Sequence, residues 1–563
     1  MLLTRKYTAI ASLSYRITRM IAIPSKQGVK LLSYNRRKKS TLALSIDANT
    51  DKNTVIPNPI PDFNDARSTY ENKSTKELLR AVVCFQCCKF PLLVENAENL
   101  LIVSRKIFGG RIVDAVLKAT IYGHFCAGED QQQILPAIQQ LANSGVGSIL
   151  DYAAENDGTV DGVIIGGTED PHTIVTVREY DYESEAKCDN HVSTFIKCIN
   201  DVASMGGEHI GFAAVKITAL GNPKLLARLS TAIVEAKLLF ADFDSNGNGL
   251  VSRKSFELGY NRHFIDGDVR IQEIFEEFDP NETGYIDYIT WSMMLSPLDL
   301  PKVIKSCKYA GRLADACPTD EEIKLLNAMY NRGRKLGKEA SKCGVRLLID
   351  AEQVRYQPAI DNLVLELQRQ FNVGDKPIIY NTYQCYLKDS PARLRTDVAR
   401  SERFKYNFGA KIVRGAYMES ERDLAASLFL DDPIHSTIED THNCYNNSVD
   451  YLLCHSTKSD LNVEVMCATH NQTSIVHAIA SMNLYEIDRS ADTICFAQLY
   501  GMSDELTLNL GKNGYRAYKY VPYGQVDEVV PYLLRRAKEN SAIVGGATME
   551  LGMLSAELKR RLR

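Results

Sequence analysis

Residues 344–418 decide the fold predicted for this chain, because three short apolar runs follow one another there: GVRLLIDAE (344–352), KPIIYNTYQCYL (376–387) and FGAKIVRGAYM (408–418). Each run has the length of one strand and ends in polar or charged residues. A helical pattern, such as IDNLVLELQRQF, separates them. Runs that are apolar throughout are typical of strands buried on both faces of a parallel sheet.

Five further runs have the same form, at residues 145–155, 212–220, 462–471, 492–501 and 515–524. Eight strands that alternate with helices predict an α/β fold, a (β/α)8 barrel of the TIM type. The alternative is an open, doubly wound sheet. Its dinucleotide-binding fingerprint is incomplete here, because GVG at 145–147 lacks the third glycine.

The remaining sequence predicts additions to the barrel. Residues 67–144 form a helical arm, and residues 145–222 and 306–563 form the barrel, which ends in a substrate-binding helix. A helical insert covers 223–305, and a Pro- and Asn-rich disordered linker covers 47–66. No run of 18 apolar residues occurs, so we expect no transmembrane helix.

The first 46 residues contain ten Lys or Arg and no Asp or Glu, which is typical of a mitochondrial transit peptide. A nucleic-acid-binding arm is the alternative. The whole chain has 66 basic and 70 acidic residues. Without those ten basic residues the remainder is 56 against 70, a net charge of −14. This acidic remainder argues against nucleic acid as a partner.

The insert contains two loops with EF-hand spacing, at Asp244–Ser255 and Asp279–Thr290. Both have Ser or Thr at the twelfth position, where calcium-binding loops have a bidentate Glu. The spacing therefore predicts an EF-hand-like helix pair and leaves calcium binding open; a purely structural pair is the alternative. The possible calcium ligands are Asp244, Asn246, Asn248 and Ser252 in the first loop, and Asp279, Asn281, Thr283 and Asp287 in the second.

In a barrel of this type, side chains at the carboxyl ends of the strands surround the active site. The predicted strands end in Lys216, Asp350, Glu352, Tyr383, Gln384, Tyr386, Lys411, Arg414, Tyr417, Thr469, His470, Asn471, Gln498 and Tyr520. Several of them are cationic, which indicates anionic ligands such as a phosphate-bearing cofactor and a carboxylate. Taken singly, each has a purely structural alternative, such as an ion pair between Lys216 and Asp350.

The last strand leads into the stretch 520–539, YVPYGQVDEVVPYLLRRAKE. We expect a turn at Pro522 and Gly524, followed by a helix whose acidic start suits the helix dipole. Adjacent arginines at 535 and 536 could bind a carboxylate, and Glu539 lies one turn after Arg535. A solvated run of charges is the alternative.

Seven ordered segments resemble the proline dehydrogenase family: VKITAL, DAE, NTYQCYL, KIVRGAYMESER, ATHN, FAQLYGM and YVPYG…LLRRAKEN. The resemblance runs from about residue 70 to the C-terminus and is interrupted by the insert. It is strongest to the eukaryotic mitochondrial type. It implies a barrel with its last helix over the mouth, and FAD bound noncovalently. The implied reaction is the oxidation of L-proline to Δ1-pyrroline-5-carboxylate.

The resemblance also implies roles for individual residues. The implied substrate set is Lys216, Asp350, Tyr417, Tyr520, Arg535, Arg536 and Glu539. In it the two arginines hold the carboxylate, the tyrosines pack on the ring and Asp350 orients Lys216. The implied flavin set is Gln384, Lys411, Val413, Arg414, Gly415, Ala416, Thr469, His470, Asn471 and Gln498. Many family members have Arg at the position of Lys411, so its flavin contact departs from the pattern.

Ubiquinone and the surface of the inner mitochondrial membrane are the further partners that the resemblance implies, with the protein in the matrix and peripheral to the membrane. Oxidation of 4-hydroxyproline is the nearest alternative. Tyr520 argues against it, because a tyrosine over the ring crowds a 4-hydroxyl group. A barrel aldolase that uses Lys216 for a Schiff base is a second alternative. A calcium-regulated binding protein without catalysis is a third.

Overall fold

The computed structural model describes residues 57–152, 157–159, 176–178, 184–205, 211–294, 306–309, 311–542 and 546–563. The predicted transit peptide, residues 1–46, lies outside the described residues.

Eight parallel strands form a closed barrel in the order β1-β12-β11-β10-β9-β8-β7-β4, and two short antiparallel pairs, β2 with β3 and β5 with β6, lie outside it. The strands are β1 (Val146–Tyr152), β2 (Asp157–Thr159), β3 (Thr176–Arg178), β4 (Phe212–Val215), β5 (Leu250–Ser252), β6 (Tyr285–Asp287), β7 (Arg346–Ile349), β8 (Ile379–Gln384), β9 (Phe408–Val413), β10 (Val463–Ala468), β11 (Ile494–Leu499) and β12 (Ala517–Tyr523). Each barrel strand lies within one of the eight predicted runs, so the predicted barrel is confirmed.

The helices cover the outside of the barrel and form the arm, the insert and the C-terminus. They are α1 (Ala66–Tyr70), α2 (Thr75–Cys88), α3 (Pro91–Glu95), α4 (Ala97–Phe108), α5 (Gly110–Ala119), α6 (Ile121–Phe125), α7 (Gln131–Ala142), α8 (Glu185–Ser204), α9 (Pro223–Phe243), α10 (Arg253–His263), α11 (Gly267–Phe278), α12 (Tyr288–Met294), α13 (Arg312–Asp315), α14 (Asp320–Cys343), α15 (Gln357–Phe371), α16 (Ser390–Phe404), α17 (Met418–Ser427), α18 (Ile438–Ser456), α19 (Gln472–Leu484), α20 (Asp504–Lys512), α21 (Val526–Ala542) and α22 (Gly546–Leu562). A 3-10 turn follows β4 at Ile217–Leu220.

Alternate residues of each barrel strand point to opposite sides, because side chains along a strand repeat every two residues. Ala214, Leu348, Met466 and Tyr518 belong to the cluster that fills the inside. Their strand neighbours, such as Val215 and Leu347, belong to the larger core between strands and helices. This alternation decides which polar side chain at a strand end faces the inside.

The inside of the barrel also holds a buried ion pair. Arg346 of β7 contacts Glu464 of β10 at 2.8 Å, and the Tyr380 hydroxyl donates to the same carboxylate. Arg346 lies 5.6 Å from the centre of the Phe212 ring. A buried charge needs such partners to offset its loss of hydration. The pair therefore closes the amino-terminal part of the interior, and polar side chains at the other end face the mouth.

The arm packs against the side of the barrel at α20. A capping box between Ser74 and Glu77 begins α2. Upstream, Asn58 is buried and its side chain donates to the Ile487 carbonyl at 2.8 Å, and Phe63 is also buried. Residues 57–65 therefore contact the barrel, and the disordered linker predicted for 47–66 does not extend over them.

The insert consists of two helix–loop–helix units whose loops pair through β5 and β6, with Val251 opposite Ile286. Its core includes Phe256 and Trp291, and the Trp291 indole donates to the Ala236 carbonyl of α9 at 2.9 Å. Because α9 also packs on the barrel helix α15, one helix joins the insert to the barrel wall. Two helix–loop–helix units are the arrangement that the sequence predicts.

Candidate functional site

Asp350 lies at the centre of the barrel mouth, just after β7. Its carboxylate accepts hydrogen bonds from the Lys411 ammonium group and, at 2.8 Å, from the Tyr520 hydroxyl. Burial raises the pKa of Asp350. The charges of Lys411 and Lys216 and these two hydrogen bonds lower it by a larger amount, so the pKa of Asp350 is below its usual value. Asp350 is therefore a largely buried, ionised carboxylate.

The strand alternation explains why these side chains meet. Lys216, Asp350 and Tyr520 each continue the series of inward-pointing residues on their strands. Lys411 follows the same series in β9, and its ammonium group lies 5.6 Å from the centre of the Tyr520 ring. Sequence reasoning predicted all four at the mouth, and the structure brings them together. It also shows a direct link between Asp350 and Lys411 that was not expected.

Arg414 organises the neighbouring part of the mouth. Its guanidinium donates to the Thr469 hydroxyl at 2.6 Å and to the Ser474 hydroxyl at 2.9 Å. It also contacts His442 and lies 4.6 Å from the centre of the Tyr445 ring. Asn471 caps α19 by accepting from the Ser474 amide. Arg414, Thr469 and Asn471 thus form one unit at the start of α19.

His470 is a neutral residue beside this unit. Its Nδ1 lies 3.0 Å from the Ser503 hydroxyl. Burial lowers the pKa of His470 to about 3, and the positive charges of Lys519, Arg536 and Arg414 lower it as well. The imidazole can therefore donate or accept a hydrogen bond, but it adds no charge at neutral pH.

The segment after β9 turns sharply at Gly415, whose φ is 132°. A side chain there would strike the Tyr386 ring, because a Cβ would lie 2.3 Å from it. Gln384 is buried beside Tyr386, and its side chain spans the Glu352 carbonyl and the Tyr386 hydroxyl. Val413 is the last residue of β9, and the turn carries Ala416 and Tyr417 past the end of the strand, where Tyr417 is buried.

The arginine pair lies on α21. Arg536 is buried and donates to Glu539 at 2.6 Å. The guanidinium carbons of Arg535 and Arg536 lie 5.9 and 5.1 Å from the centre of the Tyr532 ring. Sequence reasoning missed Tyr532, although its spacing of three and four residues places it on the same side of the helix as the pair. It proposed Arg535 as the partner of Glu539, and the structure shows a contact with Arg536.

The turn before this helix is also later than predicted. Pro522 lies within β12, paired with Asp151 of β1, and only Gly524 has a turn conformation, with φ 146°. The Tyr122 hydroxyl of α6 donates to the Gly524 carbonyl at 2.9 Å. The arm therefore supports the turn that leads into α21.

Gln498 does not point into the mouth, and this correction follows from the strand alternation. Ile494 and Phe496 of β11 belong to the core between strands and helices, and Gln498 continues their series. Its side chain donates to the Thr469 carbonyl at 3.0 Å and accepts from the Thr507 hydroxyl of α20 at 2.8 Å. One end of the side chain therefore joins β11 to the segment after β10, and the other end joins it to α20.

Lys519 is buried on the outer side of β12 and was not among the predicted site residues. Its ammonium group lies 2.9 Å from Asp504, which also contacts Lys73 of the arm. The carboxylate of Glu550 accepts from the backbone amides of Ser503 and Asp504 at 2.9 and 3.2 Å. This cluster holds Ser503, and through it His470, in place. Sequence spacing gives no signal for it, because its members are far apart in the chain.

The two insert loops pair with each other through β5 and β6. In each, the first aspartate already accepts backbone amides: Gly249 donates to Asp244 at 2.7 Å, and Gly284 donates to Asp279 at 2.6 Å. Arg403 of the barrel helix α16 contacts Asp287 at 2.5 Å. Within the described residues, no group of three or more His, Cys, Asp or Glu side chains is arranged to hold a metal ion.

Glu352 is a second buried carboxylate near the mouth, and it accepts from the amide and, at 2.6 Å, from the hydroxyl of Thr218. Burial raises its pKa from 4.5 to about 7. The folded state therefore disfavours the charged form, and the cost appears as the pH rises from 4.5 to 7. We expect Glu352→Gln to gain about 3 kcal/mol in unfolding free energy relative to wild type over this interval.

Urea unfolding of both proteins across this pH range measures the difference. Glu257→Gln, which changes an exposed glutamate, is the control and should follow the wild type. Parallel curves for wild type and Glu352→Gln would contradict the raised pKa.

A family model described as proline dehydrogenase matches residues 242–548. The chain is 36% identical to human mitochondrial proline dehydrogenase 1, covering 91% of each protein. It is 30% identical to a hydroxyproline dehydrogenase of Xenopus laevis, covering 88% of this chain and 89% of that protein. A crystal structure of proline utilization A from Bdellovibrio bacteriovorus, inactivated by N-propargylglycine, has the same fold, with a TM-score of 0.52 and 16% identity over 85% of this chain. The match spans only 38% of that bacterial chain. Together with the barrel and its mouth, these similarities show that the chain belongs to the proline dehydrogenase family.

Proposed function

We propose that this protein oxidises L-proline to Δ1-pyrroline-5-carboxylate with FAD as cofactor and passes the electrons to ubiquinone. The observation that carries the proposal is the environment of Arg536, the buried arginine on α21. One of its nitrogens is bound by Glu539, and its Nε has no hydrogen-bond partner within the described part of the chain. A buried guanidinium with an unused donor favours an anionic ligand, and a substrate carboxylate supplies one.

The inner cluster would hold the rest of the substrate. Asp350 fixes the Tyr520 hydroxyl, and so keeps this aromatic ring in one position at the mouth. Tyr417 is buried on the turn after β9. Two aromatic surfaces and an arginine pair are sufficient to orient a small ring with one carboxylate, with Lys216 near it. Such fixed orientation contributes strongly to catalysis.

The residues of the mouth fit FAD. Arg414, the capped start of α19 and the nearby Thr469 hydroxyl offer donors for phosphate groups. Lys411 places a positive charge inside the mouth, which favours an anionic ring system. When bound, FAD supplies the hydride acceptor. Purified protein with flavin absorbance that bleaches on addition of proline supports this proposal, and colourless, active protein would support a Lys216-dependent aldolase.

Arg536→Met should raise the KM for proline roughly hundredfold or more, because truncating a buried, charged partner costs about 2–5 kcal/mol. Flavin content, read from the absorbance spectrum, should not change. Lys538→Met is the control, since Lys538 is exposed on the same helix. Loss of flavin in Arg536→Met would show that α21 does not bind the substrate.

Oxidation of 4-hydroxyproline is the second candidate, because hydroxyproline dehydrogenases of Xenopus laevis and Bos taurus are 30% and 31% identical to this chain. The position of Tyr520 favours proline. Replacing the ring with a small side chain, in Tyr520→Ser, should raise the ratio of kcat/KM for 4-hydroxyproline to that for proline about tenfold or more. Tyr520→Phe keeps the ring and should leave the ratio near the wild-type value. Faster turnover of 4-hydroxyproline by the wild type would overturn the choice of substrate.

Several related proteins are named as mitochondrial proline dehydrogenases. Together with the basic, acid-free residues 1–46, this supports a location in the mitochondrial matrix, peripheral to the inner membrane. Retained import after removal of residues 1–46 would argue against their role as a transit peptide. None of the described helices has both the length and the hydropathy of a membrane span.

We propose a structural role, without calcium, for the insert loops. Arg403 places a cation on Asp287, and the twelfth positions are Ser255 and Thr290, so each loop lacks the bidentate carboxylate. Calorimetric titration with calcium should therefore show no binding at micromolar concentrations, and proline oxidation should not respond to calcium. Micromolar binding, or a change in activity, would contradict this role.

A further inference from the structure

The arm carries an exposed apolar surface on α3, α4 and α5, which we call the apolar hairpin (residues 90–118). No residue of α4 is buried, and only Val113 is buried in α5. The following large apolar side chains are between 42% and 78% exposed: Phe90, Leu92, Leu93, Leu100, Ile102, Val103, Ile107, Phe108, Ile112 and Val116. A contiguous exposed set of this size marks an interaction surface.

The charge of this surface is opposite to that of the rest of the protein. Residues 90–118 contain four Lys or Arg and three Asp or Glu, a net charge of +1, whereas the other residues of 47–563 have a net charge of −15. Lys106 and Arg111 are exposed beside the apolar side chains, and Lys89 is exposed just before them, whereas Lys118 is paired with Glu129. An apolar surface bordered by Lys and Arg is typical of helices that lie on membranes with anionic lipids.

The lengths of the helices fit a position along a membrane surface. α4 has 12 residues and α5 has 10, so they are about 18 and 15 Å long. The hydrocarbon core of a bilayer is about 30 Å thick, which neither helix can cross. A turn at Gly109, with φ 79°, joins them. Two short amphipathic helices joined in this way can insert their apolar sides to the depth of the headgroups.

The hairpin is attached to the helix over the barrel mouth. Val94 of α3 packs with Cys88 and Ala537, and Ala537 belongs to α21. Arg105 of α4 contacts Asp527, at the start of α21, at 2.5 Å. A surface held at α21 brings the mouth close to whatever the hairpin binds. The barrel mouth beside α21 therefore lies close to the partner that the apolar hairpin binds.

We infer that the apolar hairpin docks this protein on an anionic lipid bilayer, with Ile107, Phe108 and Ile112 inserted and the basic residues on the headgroups. A second copy of the chain fits less well, because it would bring Lys106 and Arg111 of both copies together. The inference extends the proposed function, since a membrane-bound mouth is close to a lipid-soluble electron acceptor. Vesicle binding is measured without proline or quinone, so its failure would leave the proposed oxidation standing.

The test compares the full chain with the variant Ile107→Ser, Phe108→Ser and Ile112→Ser by flotation with vesicles of phosphatidylcholine and phosphatidylglycerol. Insertion of three apolar side chains favours partitioning, so the partition coefficient into vesicles should fall about tenfold or more in this variant. The control variant, Phe429→Ser, Ile438→Ser and Leu484→Ser, removes three exposed apolar residues elsewhere and should bind as the wild type does. Both variants should oxidise proline with a soluble dye as acceptor. Equal binding of the hairpin variant and the wild type would overturn the inference.

A second measurement reports insertion directly. The chain has one tryptophan, Trp291, which is buried in the insert. Phe108→Trp should become quenched by brominated lipid in the vesicles, whereas Phe429→Trp should not. Sedimentation velocity tests whether a second copy of the chain covers the hairpin instead of a membrane. If the hairpin variant loses self-association and Phe108→Trp is not quenched, the hairpin is an interface between copies and the inference is wrong.

Discussion

The parallel pairing of β1 with β12 is the constraint on which the rest of the structure depends. It joins Val146–Tyr152 to Ala517–Tyr523 along seven residues and closes the barrel. Closure gives every barrel strand two neighbours and leaves no exposed edge. It also fixes the position of α21, which follows β12 directly. The arm precedes β1 and α21 follows β12, so the same closure brings the arm against α21.

The mouth concentrates positive charge in an acidic protein, and neighbouring carboxylates make this arrangement tolerable. Asp350 neutralises Lys411, and Glu539 does the same for Arg536. In both of these pairs the cation lies at the mouth, where a ligand can also contact it. The Arg346–Glu464 pair, by contrast, is buried inside the barrel. Paired charges at the mouth can therefore bind an anion without the cost of an isolated buried cation.

Sequence reasoning succeeded where the signal was local. The eight strands and the helix with its arginine pair were predicted from short runs, and the structure confirms them. It placed Gln498 wrongly, because a position at the end of a strand does not say which side the residue faces. It missed Tyr532, which carries no charge, and the cluster of Lys519 with Asp504, which forms only when distant elements pack. The roles given to the predicted substrate and flavin residues stay predictions.

The sequence by itself determined the barrel, since strand length, apolar composition and alternation with helices are properties of neighbouring residues. It also determined the inventory of charged side chains available at the strand ends. Only the tertiary structure decided which of them meet. The contact of Asp350 with Lys411 and Tyr520, and the attachment of the exposed hairpin to α21, depend on barrel closure and on the register of non-adjacent strands. No local pattern encodes a distance between residues as far apart in the chain as Asp350 and Lys411, which are 61 positions apart, or Asp350 and Tyr520, which are 170 apart.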